Sequence, residues 1–219
     1  MVMASVEAVT DGDRLELLDW KRRVFDLYRQ VRDAEDPEGA WERWRSGRDE
    51  LFRSHPQSPL PVAARARFDG LRYFPYDPAF RVSAEVVRAP VAQRQIGSSG
   101  PEPVAAERFA EARFSLAGAA HALELYWLSG YGGGLFLAFR DSTSGSESYG
   151  GGRYLLDTIK GSDLGADRDR LLLDFNFAYN PSCCYDPRWS CPLPPLANRL
   201  SASIHVGECM PVAGMGAGM

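Results

Sequence analysis

The feature that most narrows the fold is a series of short strand-like segments joined by turns, with no helical sequence between them. Residues 80–87, 110–116 and 122–128 read as strands, with Phe114 and Leu116 sharing one face and Leu123, Leu125 and Trp127 another. The run LFLAFR at 135–140 is apolar on both faces, as a buried strand is, and 147–156, 170–179 and 200–208 follow with the same two-residue period. Parallel neighbours would need long crossovers, usually helical. Strands linked by turns imply an antiparallel meander, most economically a closed or half-closed barrel. Residues 97–107, GSSGPEPVAAE, read as an exposed loop or hairpin tip, and GYGGG at 130–134 as a turn. No Lys-Ser/Thr pair follows those glycines and no dinucleotide fingerprint occurs, so neither is a phosphate loop.

The chain ahead of residue 62 has a different period. Leu15, Leu18, Phe25, Tyr28 and Val31 recur at offsets near three and four over 11–35, predicting an amphipathic helix with a charged, solvated opposite face. Asp36-Pro37 is an N-cap followed by proline at the first helical position; the helix it opens carries Trp41, Trp44, Leu51 and Phe52 and stops before Pro56. The tryptophans read as buried packing and the arginines as a solvated face. Residues 58–61, SPLP, are a rigid connector, and 63–68 a short helix closing at Gly70.

With 219 residues the chain suffices for a barrel-like domain plus an appended helical segment, and its 45% hydrophobic and 25% charged residues are ordinary for a globular protein. A net charge of -4 supplies no electrostatic reason to bind nucleic acid or an anionic membrane. The N-terminus lacks a signal-peptide pattern, and no apolar run reaches the roughly 18 residues that span a bilayer. The expectation is a cytoplasmic protein whose four cysteines are reduced, with its oligomeric state left open.

Catalytic-type side chains concentrate in residues 141–208. In 147–156 Glu147, Tyr149, Gly151 and Arg153 would share a face, and the glycines would let a ligand approach. Arg153 is a candidate anchor for an anion, because a guanidinium grips a carboxylate or phosphate with two parallel hydrogen bonds; the alternative is a register-fixing ion pair with Asp174 or Glu147. Asp174 and Asn176 would share one face of a strand over 170–179. Cys183, in a turn-rich excursion that runs to Pro195, is a candidate nucleophile or a packed thiol. Cys183, Cys191, His205 and Cys209 offer zinc-ligand chemistry without the CxxC knuckle that preorganises it, so no metal is expected. His205 would face outward; His55 and His121 sit in no recognisable catalytic set. Glu208 continues an apolar face, where burial would raise its pKa and suit proton transfer.

Four long runs, SPLP at 58–61, GLRYFPYDPAFRV at 70–82, DSTSGSESYGGGRYL at 141–155 and LDFNFAYNPSCCYDPRWSCPLPPLANRL at 173–200, with the closing Gly207-Glu208, resemble the bacterial family called domain of unknown function 1684. The resemblance covers the chain from Trp41 to Glu208. It implies no activity. It does imply that Asp141, Thr143, Tyr149, Arg153, Tyr154, Asp174, Asn176, Tyr179, Asn180, Cys183, Cys191, Asn198 and Glu208 match positions of the family pattern, whereas Cys184, His205 and Cys209 do not.

The chain is therefore expected to be an α+β protein: a helical hairpin over 1–61 packed on a mainly antiparallel β-barrel or strongly curved sheet over 62–210, with a flexible tail at 211–219. The leading functional expectation is a cofactor-independent small-molecule enzyme, a hydrolase, lyase or transferase, with a polar pocket at the barrel mouth for an anionic substrate. Asp174, Cys183 and Glu208 are its catalytic candidates. Asp141, Tyr149, Arg153, Tyr154, Asn176, Tyr179 and Asn180 are its substrate-binding candidates. The alternatives are a noncatalytic ligand-binding or protein-interaction module, and, on fold analogy alone, a flavin-binding barrel.

Overall fold

The computed structural model describes residues 11–168 and 170–212. Helices α1 (Asp11–Arg32) and α2 (Pro37–Ser54) form the hairpin. The Asp36 side chain caps α2 by accepting from the Gly39 amide at 3.2 Å, with Pro37 opening the first turn. Gly47 lets the helices close on each other, because a Cβ there would lie 2.4 Å from a Leu27 methyl. A one-turn helix, α3 (Val62–Arg65), leads into the sheet. The inward face of α1 differs from the expected one: Leu15, Leu18 and Phe25 are exposed, while Trp20, Val24, Leu27, Tyr28 and Val31 pack inward. Tyr28 and Val31 of the expected stripe do lie on the buried side; Trp20, Val24 and Leu27 complete it, and Leu15, Leu18 and Phe25 fall off it.

Seven antiparallel strands follow: β1 (Arg81–Ile96), β2 (Val104–Leu116), β3 (Ala119–Leu128), β4 (Gly134–Phe139), β5 (Arg153–Asp157), β6 (Ala166–Asp167) and β7 (Arg170–Asp174). Their order is β5-β4-β3-β2-β1-β7-β6. The sheet curls into a half-barrel, and the chain beyond β7 reaches back to β5 in a bridge where Tyr154 and Tyr179 exchange backbone hydrogen bonds of 2.8 and 3.0 Å. β1 continues past Pro90, which has no N–H to donate, by shifting register against β2 between Arg88 and Ala92.

Three of the expected strands are shorter or absent. Residues 147–152 form a turn, with Gly152 at φ +90° and a notional Cβ only 2.6 Å from the Phe139 carbonyl, so β5 starts at Arg153. β7 ends at Asp174, whose carboxylate accepts from the Asn176 amide and starts a 3-10 turn, Phe175–Phe177. Residues 200–208 form no strand, although Leu200, Ile204 and Val206 are buried and Ser201, Ser203 and His205 exposed in the expected alternation. Most of the expected tail lies outside the described residues.

One core joins both layers. Tyr28, Trp41 and Trp44 from the helices meet Leu123, Leu125, Leu137, Phe139, Phe175 and Phe177. Trp44 stands edge-on to Phe177 at 5.1 Å. Trp44→Ala should therefore lose about 3–5 kcal/mol in urea denaturation, whereas Leu15→Ala, at a position 68% exposed, should change stability by no more than about 0.5 kcal/mol.

Candidate functional site

The candidate residues separate into four groups. In the first, Arg153 on β5 has no exposed surface. Its Nη2 donates to Asp141 Oδ2 at 2.5 Å and to the Ile204 carbonyl at 2.9 Å, and its Nη1 to the Val206 carbonyl at 2.5 Å. Asp141 Oδ1 in turn accepts from the Thr143 amide and hydroxyl, and that hydroxyl meets Ser148 Oγ at 2.8 Å. Burial pulls the Arg153 pKa down and Asp141 opposes it. The guanidinium is thus occupied by an acid and by the backbone of residues 204–206. Its acid partner is Asp141, not the Asp174 or Glu147 that strand alternation offers.

The second group is equally closed. Asp174 Oδ1 accepts from Asn176 Nδ2 at 2.8 Å, and the Asn176 amide group exchanges hydrogen bonds with the Asp77 backbone at 2.9 Å each. Trp41 Nε1 donates to the Asn176 carbonyl. Burial raises the Asp174 pKa, against the hydrogen bonds from Asn176. These residues fasten α2 and the 73–78 turn to the end of β7.

The third group surrounds a cavity of about 70 Å³ between the helices and the loop after Tyr179. Tyr154, Tyr179 and Asn180 line it with Tyr28, Arg48, Lys160 and Ser182. Arg48 lies among Trp44, Phe52 and Tyr179, donates from Nε to Tyr73 Oη at 3.0 Å and from Nη2 to Glu208 Oε2 at 2.8 Å. The same carboxylate oxygen accepts from the Asn180 amide at 3.0 Å. Burial raises the Glu208 pKa to about 7, with Arg48 and the Asn180 amide pulling the other way. Tyr28 Oη and Asn180 Oδ1 are buried and make no hydrogen bond among the described residues, though Ser162 and Trp44 stand near the Tyr28 hydroxyl. Lys160 is exposed at the rim, 3.7 Å from the buried Asp157.

The structure packs Arg48 against the core, its side chain only 12% exposed, where the sequence puts the arginines of α2 on a solvated face. The spacing does carry the signal: Arg48 follows Trp44 by four residues and precedes Phe52 by four, so a helix must set it on the apolar stripe. Arg45 is similar, lying over the Trp41 and Tyr73 rings.

In the fourth group, Cys183 and Cys191 adjoin, the Cys183 amide donating to Cys191 Sγ at 3.4 Å, with Tyr149 Oη 3.8 Å from Cys183 Sγ. Of the histidines, His205 is exposed against Glu147, His55 is buried against Asp19, and His121 stacks on Phe114. Among the described residues no three His, Cys, Asp or Glu side chains are grouped to hold a metal, and no helix is long and apolar enough to cross a membrane. Larger concavities, of about 700, 670 and 330 Å³, contain none of the candidate residues.

Residues 66–209 match the family described as Protein of unknown function (DUF1684). The chain belongs to that family. The match begins after the helical hairpin, later than the resemblance from Trp41. DUF1684 carries no described activity, and no curated protein matches the chain. A solution NMR structure of an uncharacterised protein of Haloarcula marismortui is 35% identical, with a TM-score of 0.61 over 84% of this chain and 99% of that one. That coverage exceeds the span of the DUF1684 match, so it includes part of the helical layer.

Breaking the Arg153–Asp141 pair from either side should cost about 3–5 kcal/mol, because a lone buried charge remains. Chemical denaturation of Arg153→Met, Asp141→Leu and the double variant should show the double losing less than the sum of the singles. Glu208 gives a pH signature. A carboxyl whose pKa rises on folding, here from 4.5 to about 7, binds more protons folded than unfolded, so its contribution is full below the unfolded value and is lost as pH rises through the folded one. The thermal midpoint of the native chain should therefore fall, relative to Glu208→Gln, between pH 4.5 and about 7, as calorimetry across that range would record.

Proposed function

We propose that the protein binds a short carboxylate that also carries a hydrogen-bond donor, in the cavity between the helical hairpin and the mouth of the half-barrel. The observation that carries this reading is the pair of buried, unpartnered polar atoms, Tyr28 Oη and Asn180 Oδ1, on residues that line the same cavity as Arg48 and Lys160. An unsatisfied buried polar group costs about 1–3 kcal/mol, which a polar occupant would recover. A hydroxyl and two cations suit a carboxylate; a lone carbonyl oxygen suits a donor on the same molecule. Trp20, Val24, Phe52 and Pro59 supply apolar walls.

Size sets a limit. A cavity of about 70 Å³ is well below the roughly 300 Å³ at which sites for drug-sized ligands begin, so a flavin does not suit this place, and glycolate is a fitting probe. Anion recognition thereby passes from Arg153, which does not line this cavity, to Arg48, which does. It keeps Tyr154, Tyr179 and Asn180 as binding residues. Asp141, Asp174 and Asn176 become supports of the fold.

A catalytic version rests on Glu208. A buried acid with a pKa of about 7, hydrogen-bonded to an arginine that lines the cavity, is suited to exchanging a proton near neutral pH.

The test is an NMR titration of isotopically labelled protein with glycolate, with acetate and propionate as comparisons lacking the donor. Shifts of the Asn180, Tyr179 and Lys160 amides are expected, with glycolate binding at least about fivefold more tightly than acetate, since one added hydrogen bond is worth about 1 kcal/mol. Tyr28→Phe and Lys160→Ala should weaken glycolate binding with the spectrum of the fold unchanged. Glycolate that shifts none of these resonances would refute the assignment.

A further inference from the structure

We propose that Cys183 and Cys191 form an oxidisable dithiol, which a hydroperoxide converts to a disulfide, as a chemical site separate from the ligand cavity. The two cysteines are eight positions apart, and the fold brings them together from opposite ends of the proline-rich loop. A 3-10 turn, Ser182–Cys184, aims the Cys183 amide at the Cys191 sulfur 3.4 Å away. On the other side, Ser98 and Pro192 form an isolated bridge, and Ser99 accepts from the Cys191 amide at 2.9 Å. The backbones of both cysteines are therefore fixed. Tyr149, at 3.8 Å from the Cys183 sulfur, completes the surround.

The environment distinguishes the two sulfurs. The Cys191 thiol donates toward Cys183, and with Ser99 and Tyr149 it holds the Cys183 pKa below the ordinary thiol value, against burial. The same hydrogen bond, with burial, raises Cys191. The ionised member is Cys183, the attacking sulfur, and Cys191 is the resolving thiol.

The other two cysteines lack this arrangement. Cys184 packs with Phe52, Leu60 and Tyr185, and burial raises its pKa. Cys209 is half-buried near Arg72 and Arg153.

The atoms balance with the peroxide as oxidant. The Cys183 thiolate attacks one peroxide oxygen, the O–O bond breaks, and the leaving hydroxide takes a proton to become water, which leaves a sulfenic acid on Cys183. Cys191 then gives up its proton and attacks the Cys183 sulfur; the S–O bond breaks and a second water leaves. Two thiols and one hydrogen peroxide become one disulfide and two waters: sulfur is oxidised and the peroxide reduced. Hydrogen peroxide is small and uncharged, which suits buried sulfurs whose neighbours Ser99 and Ser190 are exposed.

The experiment treats the reduced full-length protein with one equivalent of hydrogen peroxide at neutral pH. Remaining thiols are then alkylated in denaturant and the peptides mapped by mass spectrometry. A cross-link between Cys183 and Cys191, with Cys184 and Cys209 alkylated, is expected, forming at least about tenfold faster in folded than in urea-unfolded protein. Cys191→Ser should instead stop at a Cys183 sulfenic acid that dimedone captures, and Cys183→Ser should yield neither product. Four alkylated cysteines after treatment, oxidation that begins at Cys209, or a cross-link no faster in the folded protein would each overturn the proposal. The map of the unsubstituted protein decides this without relying on either variant.

Discussion

The structure depends on one buried guanidinium. Arg153 at the start of β5 binds Asp141 with one nitrogen and uses the remaining reach to hold the carbonyls of Ile204 and Val206. Residues 200, 202, 207 and 208 pair singly with neighbouring backbone, and between them these charge-assisted bonds do for 204–206 what strand pairing does elsewhere. A charge is well suited to this place because it satisfies several backbone acceptors at once where no neighbouring strand does so, and the Asp141 carboxylate offsets its burial. The cost of misplacing it is correspondingly high.

The clamp has effects beyond its own contacts. By fixing 204–206 it places Glu208 below α2, where Arg48 and the Asn180 amide meet the carboxylate. Asn198 acts in parallel upstream, exchanging hydrogen bonds with the Glu124 backbone and donating to the Ala138 carbonyl, which ties the same closing stretch to β3 and β4. Sheet, closing segment and helical layer are thus connected through polar side chains, while Trp44, Phe177 and their neighbours fill the space between. The cavity lies where these layers meet, and Tyr154 is common to its wall and to the apolar cluster around Cys183.

Much of the architecture is legible in the sequence. Two-residue alternation locates the strands, and Asp36-Pro37 marks the start of α2, because backbone periodicity and capping are local properties. The failures have physical causes too. Alternation in 200–208 records burial on one side, and burial does not require a paired neighbour. The 170–179 run looks continuous, but Asp174 satisfies the Asn176 amide locally and turns the chain. At the site, residue type marks Arg153 and Glu208 as out of the ordinary for apolar surroundings. It does not show their partners, which lie 12 residues from Arg153 and 160 from Glu208. Arg48 escapes notice for the converse reason: its position on the helix is informative, and its charge argues against what that position says.

The long reach of the Arg48–Glu208 contact has a consequence for synthesis on the ribosome. The helical hairpin emerges before the half-barrel, and the acid partner of Arg48 follows it by 160 residues; at about 5–20 residues per second that is a delay of roughly ten to thirty seconds. Until β7 has emerged, the faces of Trp41 and Trp44 have no complete half-barrel to cover them. The nascent chain therefore carries exposed aromatic surface until the strands that cover it have followed.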